Sequence, residues 1–241
     1  MIRARHLTAF IGAGLLSALQ PELSLAAEPP APLAHEEMIV TCGQAPRGHR
    51  IRGKRDYRQR DANVLNQRDF KVFEWTHLTP ARARVNSGQN LDFDVMNNLD
   101  FVLSKVPNHE PALRILIDWD LIGGKHHEGG YKPPACYLLW AAQFAPNDPV
   151  VWNYGGYYFY RKGDSRRAME WWQEALEVDP SNAEVHNTLG LIAFENGNYE
   201  QARKHAWAAY AAGFPLPTLR DKLKAAGQWR DPPTETVSNG Q

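Results

Sequence analysis

The sequence predicts an all-α fold: a solenoid of helix–turn–helix repeats, entered through an irregular N-terminal extension and closed by a C-terminal capping helix. Three observations carry this prediction. Residues 148–179 and 182–210 place small and apolar side chains at matching positions, 34 residues apart. Gly163 and Gly197 keep the same interval, each between two stretches of helical apolar spacing. Pro146 and Pro180 keep it again, each where one helix pair gives way to the next. With 241 residues, 43% of them hydrophobic, the chain is long enough to bury a core without staples.

In chain order, Arg3, Arg5 and His6 precede an apolar run at 7–19 that ends before Ser24-Leu25-Ala26. As a helix that run spans roughly 20 Å, short of a ~30 Å hydrocarbon core. A basic start, a short apolar stretch and small residues at a cleavage point read as a secretory signal, so 1–26 is expected to be removed. An uncleaved anchor is the alternative. A lipoprotein reading through Cys42 fails, because Thr41 is too large before a lipidated cysteine. The expected location is the periplasm or the outside of the cell, with no transmembrane segment in the mature chain. There Cys42 and Cys136 most simply form one disulfide; two separate buried thiols are the other possibility.

Residues 27–90 read as an irregular extension, and 47–60 is its unusual part. It holds Arg47, Arg50, Arg52, Lys54, Arg55, Arg58 and Arg60 against Asp56 alone. Such a cluster raises the local potential. Arg50, Arg52, Lys54, Arg55 and Arg58 could therefore meet an anionic glycan or lipid head group, or the segment could fold back on the acidic remainder.

The solenoid is expected over 91–229. Residues 91–106 read as a helix with Leu99, Val102 and Leu103 on its apolar side. Residues 110–122 and Pro134–Phe144 form a looser first repeat, separated by a glycine-rich loop. In the next repeat Trp152, Gly156, Phe159, Ala168, Trp172, Ala175 and Pro180 occupy positions 4, 8, 11, 20, 24, 27 and 32. In the last, Leu189, Gly190, Ala202 and Ala209 fall at 7, 8, 20 and 27, but His186, Ala193 and Ala206 replace large aromatics. These residues resemble the tetratricopeptide (TPR) repeat, in which small side chains let two helices approach and aromatics fill the rest. A helix at 217–226 would cap the last repeat, and 230–241, without apolar period, would be a mobile tail.

From about Tyr57 to Trp229 the chain also resembles a family of exported proteobacterial tetratricopeptide proteins. The resemblance rests on Val72-Phe73-Glu74, His77-Leu78-Thr79-Pro80, Asn98-Leu99-Asp100-Phe101, Val106-Pro107-Asn108-His109 and Gly213-Phe214-Pro215-Leu216-Pro217. It implies a solenoid and export, and no particular activity.

Function is less legible. Equal numbers of basic and acidic residues, 27 each, argue against a general nucleic-acid binder, and a mean hydropathy of −0.51 excludes a polytopic membrane protein. No nucleophile elbow, phosphate loop or paired-histidine zinc motif occurs in the mature chain. His126-His127-Glu128 offers metal-ligand chemistry without an identifiable third ligand. Trp171 and Trp172 invite a ligand reading, but their place on a second helix makes at least one of them, Trp172 first, a packing residue. No catalytic residue, metal or cofactor is therefore expected. Solenoid curvature instead lines the first helices of successive repeats along one groove. Position 5 supplies Arg114, Asn153 and Asn187; position 9 supplies Asp118, Tyr157 and Leu191; position 12 adds Tyr160 and Phe194, with Leu121 before them. Amides suit a peptide backbone and aromatic rings supply contact area. The expectation is a non-catalytic adaptor, in a cell-envelope assembly, that binds a protein partner in this groove. Anionic glycan or lipid recognition through the basic segment is the alternative.

Overall fold

A computed structural model describes residues 42–43, 55–88, 93–125 and 130–232. The signal segment, Arg47, Arg50, Arg52 and Lys54 of the basic stretch, the His126-His127-Glu128 loop and 233–241 lie outside the described residues.

All regular structure among the described residues is helical. A short turn at Tyr57–Gln59 leads into α1 (Val64–Phe73), a π-helical turn (Glu74–Leu78) and α2 (Thr79–Ser87). Then follow α3 (Phe93–Lys105), α4 (Glu110–Leu121), α5 (Pro134–Phe144), α6 (Pro149–Arg161) and α7 (Ser165–Val178). The chain ends with α8 (Ala183–Glu195), α9 (Tyr199–Ala211) and α10 (Thr218–Ala225).

The repeat boundaries follow from local chemistry. Asp148, Asp164, Asn182 and Asn198 cap α6, α7, α8 and α9, each side chain accepting from a backbone N–H of the first turn. Gly163 and Gly197 adopt φ of 81° and 75° between the paired helices, a left-handed conformation suited to glycine. Within the first full repeat the two helices almost touch. A Cβ at Gly155 would collide with the Trp171 ring, and one at Gly156 with the Trp172 ring. Both indoles are fully buried, as expected of packing residues.

One continuous core runs from α2 through α8, with Met96, Leu99, Leu113, Leu116 and Leu139 among its buried side chains. The capping helix contributes Leu219 and Leu223 to a smaller cluster with Ala202 and Ala206. Cys42 and Cys136 are bonded, with Cα atoms 5.3 Å apart, and both are buried. The bond fastens the N-terminal arm to α5, where the Trp140 indole also donates to the Gly43 carbonyl at 3.1 Å.

The extension requires a correction. From Tyr57 onward it is not irregular: α1, the π turn and α2 form a nearly continuous helical segment over 64–87. A proline commonly ends a helix, but at Pro80 the backbone widens instead of stopping. The Thr79 N–H bonds the Glu74 carbonyl five residues back, and Pro80 follows directly in the first turn of α2. Phe70, Leu78, Ala81 and Val85 from this segment are buried. At the other end, the Arg230 carbonyl accepts from the Trp207 indole at 2.9 Å.

Candidate partner-binding groove

The first helices α4, α6 and α8 bring Arg114, Asn153, Tyr157 and Asn187 to the wall of one open cavity of about 570 Å³. Tyr154, Glu184 and Thr188 line it too, and the loop Gly213-Phe214-Pro215-Leu216 forms part of its wall. Leu216 is 58% exposed there.

Charges along the wall are arranged in pairs. Arg114 donates from Nε to both Asp118 carboxylate oxygens, at 3.2 and 3.1 Å, one helical turn away. Its guanidinium lies 5.2 Å from the Tyr157 ring centroid, and that of Arg161 lies 5.5 Å from it. Arg161 also donates to the Tyr157 hydroxyl. The Tyr154 hydroxyl donates to Glu110 at 3.3 Å. Burial, reinforced by the Glu110 charge, holds that phenol well above the ordinary tyrosine range.

The two asparagines differ. Asn153 is engaged at both ends: its Oδ1 accepts from the Trp172 indole at 3.1 Å, and its Nδ2 donates to Glu184 at 3.1 Å. Asn187 Oδ1 is buried without a partner. Asn153 therefore meets the groove with its amide already engaged by the indole and the carboxylate, one N–H remaining.

Other expected groove residues lie elsewhere. Asp118 acts on Arg114 rather than lining the cavity. Tyr160 packs against Trp172 at 5.8 Å between ring centroids. Leu191 and Phe194 pack against the smaller cluster under the capping helix, and Phe194 also meets Tyr199 and the Lys222 ammonium. Position 12 thus faces the neighbouring helix. Sequence reasoning missed Tyr154, Glu184, Phe214 and Leu216. The last two stand in the quoted Gly213–Pro217 phrase, but their place on the wall depends on how that loop returns over α8.

The basic segment is corrected in part as well. Arg55 pairs with Asp69 at 2.6 Å. Arg58 pairs with Asp56, lies 3.8 Å from Asp148 and donates to the Asn147 carbonyl at 3.0 Å. Hydrogen bonding to Arg58 holds the Asp56 carboxyl at about 2, below its usual range. Both cations are thus engaged within the chain: Arg55 with α1, and Arg58 with the turn before α6. Among the described residues, no three histidine, cysteine or acidic side chains converge as metal ligands. Nor is any helix of the described residues long and apolar enough to cross a membrane.

The family model described as TPR repeat matches residues 156–197. The match runs from the middle of α6 through α7 and the whole of α8, and takes in the Gly156–Trp172 contact and the Gly163–Gly197 interval. The chain contains a TPR repeat within an all-helical solenoid, an architecture suited to a protein–protein interaction scaffold. Comparison with curated proteins finds no match.

Proposed function

We propose that this protein is a non-catalytic adaptor of the cell envelope, exported with loss of 1–26 and holding an extended segment of a protein partner in the groove between α4, α6, α8 and the 213–216 loop. The observation that supports this most is the convergence of Arg114, Tyr157, Asn187 and Leu216 on a single open cavity. A cavity of that size takes a few side chains rather than a folded domain. Its walls combine apolar surface from Tyr154, Phe214 and Leu216 with polar groups at intervals, the pattern a peptide main chain and its side chains require.

The test is site-specific photocrosslinking in the native envelope. A crosslinking residue at Leu216 should yield one partner adduct, and Tyr157→Ala should reduce it. The same residue at Met169, exposed on α7 outside the groove, should yield none of that adduct. Equal adducts from both positions would overturn the groove reading.

A further inference from the structure

At the opposite end of the chain, the π-helical turn after α1 presents Trp75, 77% exposed, with Val72 beside it at 52%. No other large apolar side chain among the described residues is as exposed as Trp75. Arg68, Lys71, Val72 and Trp75 follow at i, i+3, i+4 and i+7, which places them along one face of the helix. All four are exposed. Arg82, further along on α2, is exposed as well.

The charges of this segment differ in how closely they are engaged. Its two acidic residues are engaged by neighbouring side chains while staying partly exposed: Asp69 pairs with Arg55 at 2.6 Å, and Glu74 accepts from the Tyr57 hydroxyl at 3.0 Å. Arg68 reaches only Asp69, at 3.9 Å, with its side chain 73% exposed. Lys71 and Arg82 are exposed as well. The outward face therefore shows a tryptophan and a valine beside Lys71 and the loosely paired, largely exposed Arg68.

We propose that this face is a docking surface for an anionic lipid bilayer, with Trp75 and Val72 entering the headgroup region while Arg68 and Lys71 meet lipid phosphates. An indole suits that depth because its body is apolar and its N–H polar. Two exposed apolar side chains on one helix fall far short of the roughly 800 Å² per partner that a stable protein interface needs. Insertion into a bilayer surface requires no matching shape. Contacts this few give weak, reversible attachment, independent of whether the groove binds a peptide.

Vesicle flotation tests it, with the chain from Ala27 onward, which keeps every residue of the described core. Vesicles of phosphatidylcholine with about a third phosphatidylglycerol are compared with pure phosphatidylcholine. The protein should float with the anionic vesicles, and added salt should release it. Trp75→Ala should lower partitioning about tenfold, and each of Arg68→Gln and Lys71→Gln about fivefold. Circular dichroism should show all three variants folded, since these side chains are exposed. Absence of flotation, equal binding to both vesicle types, or full binding by folded Trp75→Ala would each overturn the proposal. Capture of an acidic protein by Trp75 without vesicle binding would overturn it too.

Discussion

The two full repeats, α6–α7 and α8–α9, have the same turns and caps but opposite ways of filling the space between their helices. In the first, Trp152 and Trp171 meet with ring centroids 5.0 Å apart. In the second, the residues 34 positions on are His186 and His205, whose Nδ1 atoms lie 3.1 Å apart. Trp172 of the first repeat becomes Ala206 in the second. The first repeat is thus closed by its own indoles. The second borrows a side chain from outside: a Cβ at Gly190 would collide with Leu219 of the capping helix, where at Gly156 it would meet Trp172. A 34-residue period fixes backbone geometry without fixing which residues fill it, and a terminal repeat depends on its cap.

Emptying the two equivalent spaces should give the largest effects. Trp172→Ala removes a fully buried indole and strips Asn153 of its donor. It should cost about 3–5 kcal/mol of unfolding free energy, read from urea denaturation. Leu219→Ala should cost about 2–4 kcal/mol, although the residue lies outside the repeat. A silent Leu219→Ala would show that α10 does not complete the second repeat.

The same comparison explains what the sequence could and could not reveal. Pro134–Phe144 was legible because prolines, an apolar run and the spacing of Pro146 agree on its limits. The two repeats were legible through glycine at two turns and one interval. The segment 64–87 was not, because Pro80 has the signature of a break and only the five-residue bond from Thr79 reveals the continuation. Gly155 escaped notice since position 7 belongs to Leu189 in the other repeat. In the groove, position 5 marked the right wall, but the pairing of Asn153 with Trp172 is a contact across two helices. No spacing rule along one helix announces it.

A smaller effect separates the pairs by pH. His186 Nε2 lies 2.9 Å from the Pro180 carbonyl and so carries the proton there, leaving its Nδ1 to accept from His205. Burial, with the adjacent His186, lowers the His205 pKa to about 4. The unfolded chain, titrating near 6.5, then binds the proton more readily than the folded one. Stability from this pair is full above about pH 6.5 and declines as pH falls toward 4. His205 is only partly buried, so the loss at pH 5 should be about 1 kcal/mol after solvent screening. His109, buried and also lowered to about 4, contributes a similar slope. The contrast to measure is therefore His205→Phe against the parent: urea midpoints at pH 7 and pH 5 should differ less in the variant. An unchanged difference would remove the histidine pair from the acid response.

The smallest stability effect, and the one closest to function, comes from Asn187, read against Asn153. Asn153→Ala leaves the buried Trp172 N–H without an acceptor and should cost about 1–3 kcal/mol. Asn187→Ala removes an oxygen that already lacks a donor, because Ala206 stands where the first repeat has Trp172. Its stability cost should fall within about 0.5 kcal/mol of zero, and a slight gain fits the same argument. An orphaned acceptor beside an open cavity has a physical rationale if a partner's N–H reaches it after a modest rotation of the amide. Asn187→Ala should then weaken partner capture several-fold, roughly what one net hydrogen bond of 0.5–1.5 kcal/mol supplies. Asn153→Ala should affect capture only in proportion to its loss of folded protein. Measuring both variants by urea denaturation and by the Leu216 crosslink separates these effects. If Asn187→Ala leaves the adduct intact while remaining fully folded, the unsatisfied oxygen belongs to the packing of the terminal repeat and the groove holds its partner by Arg114, Tyr157 and the loop alone.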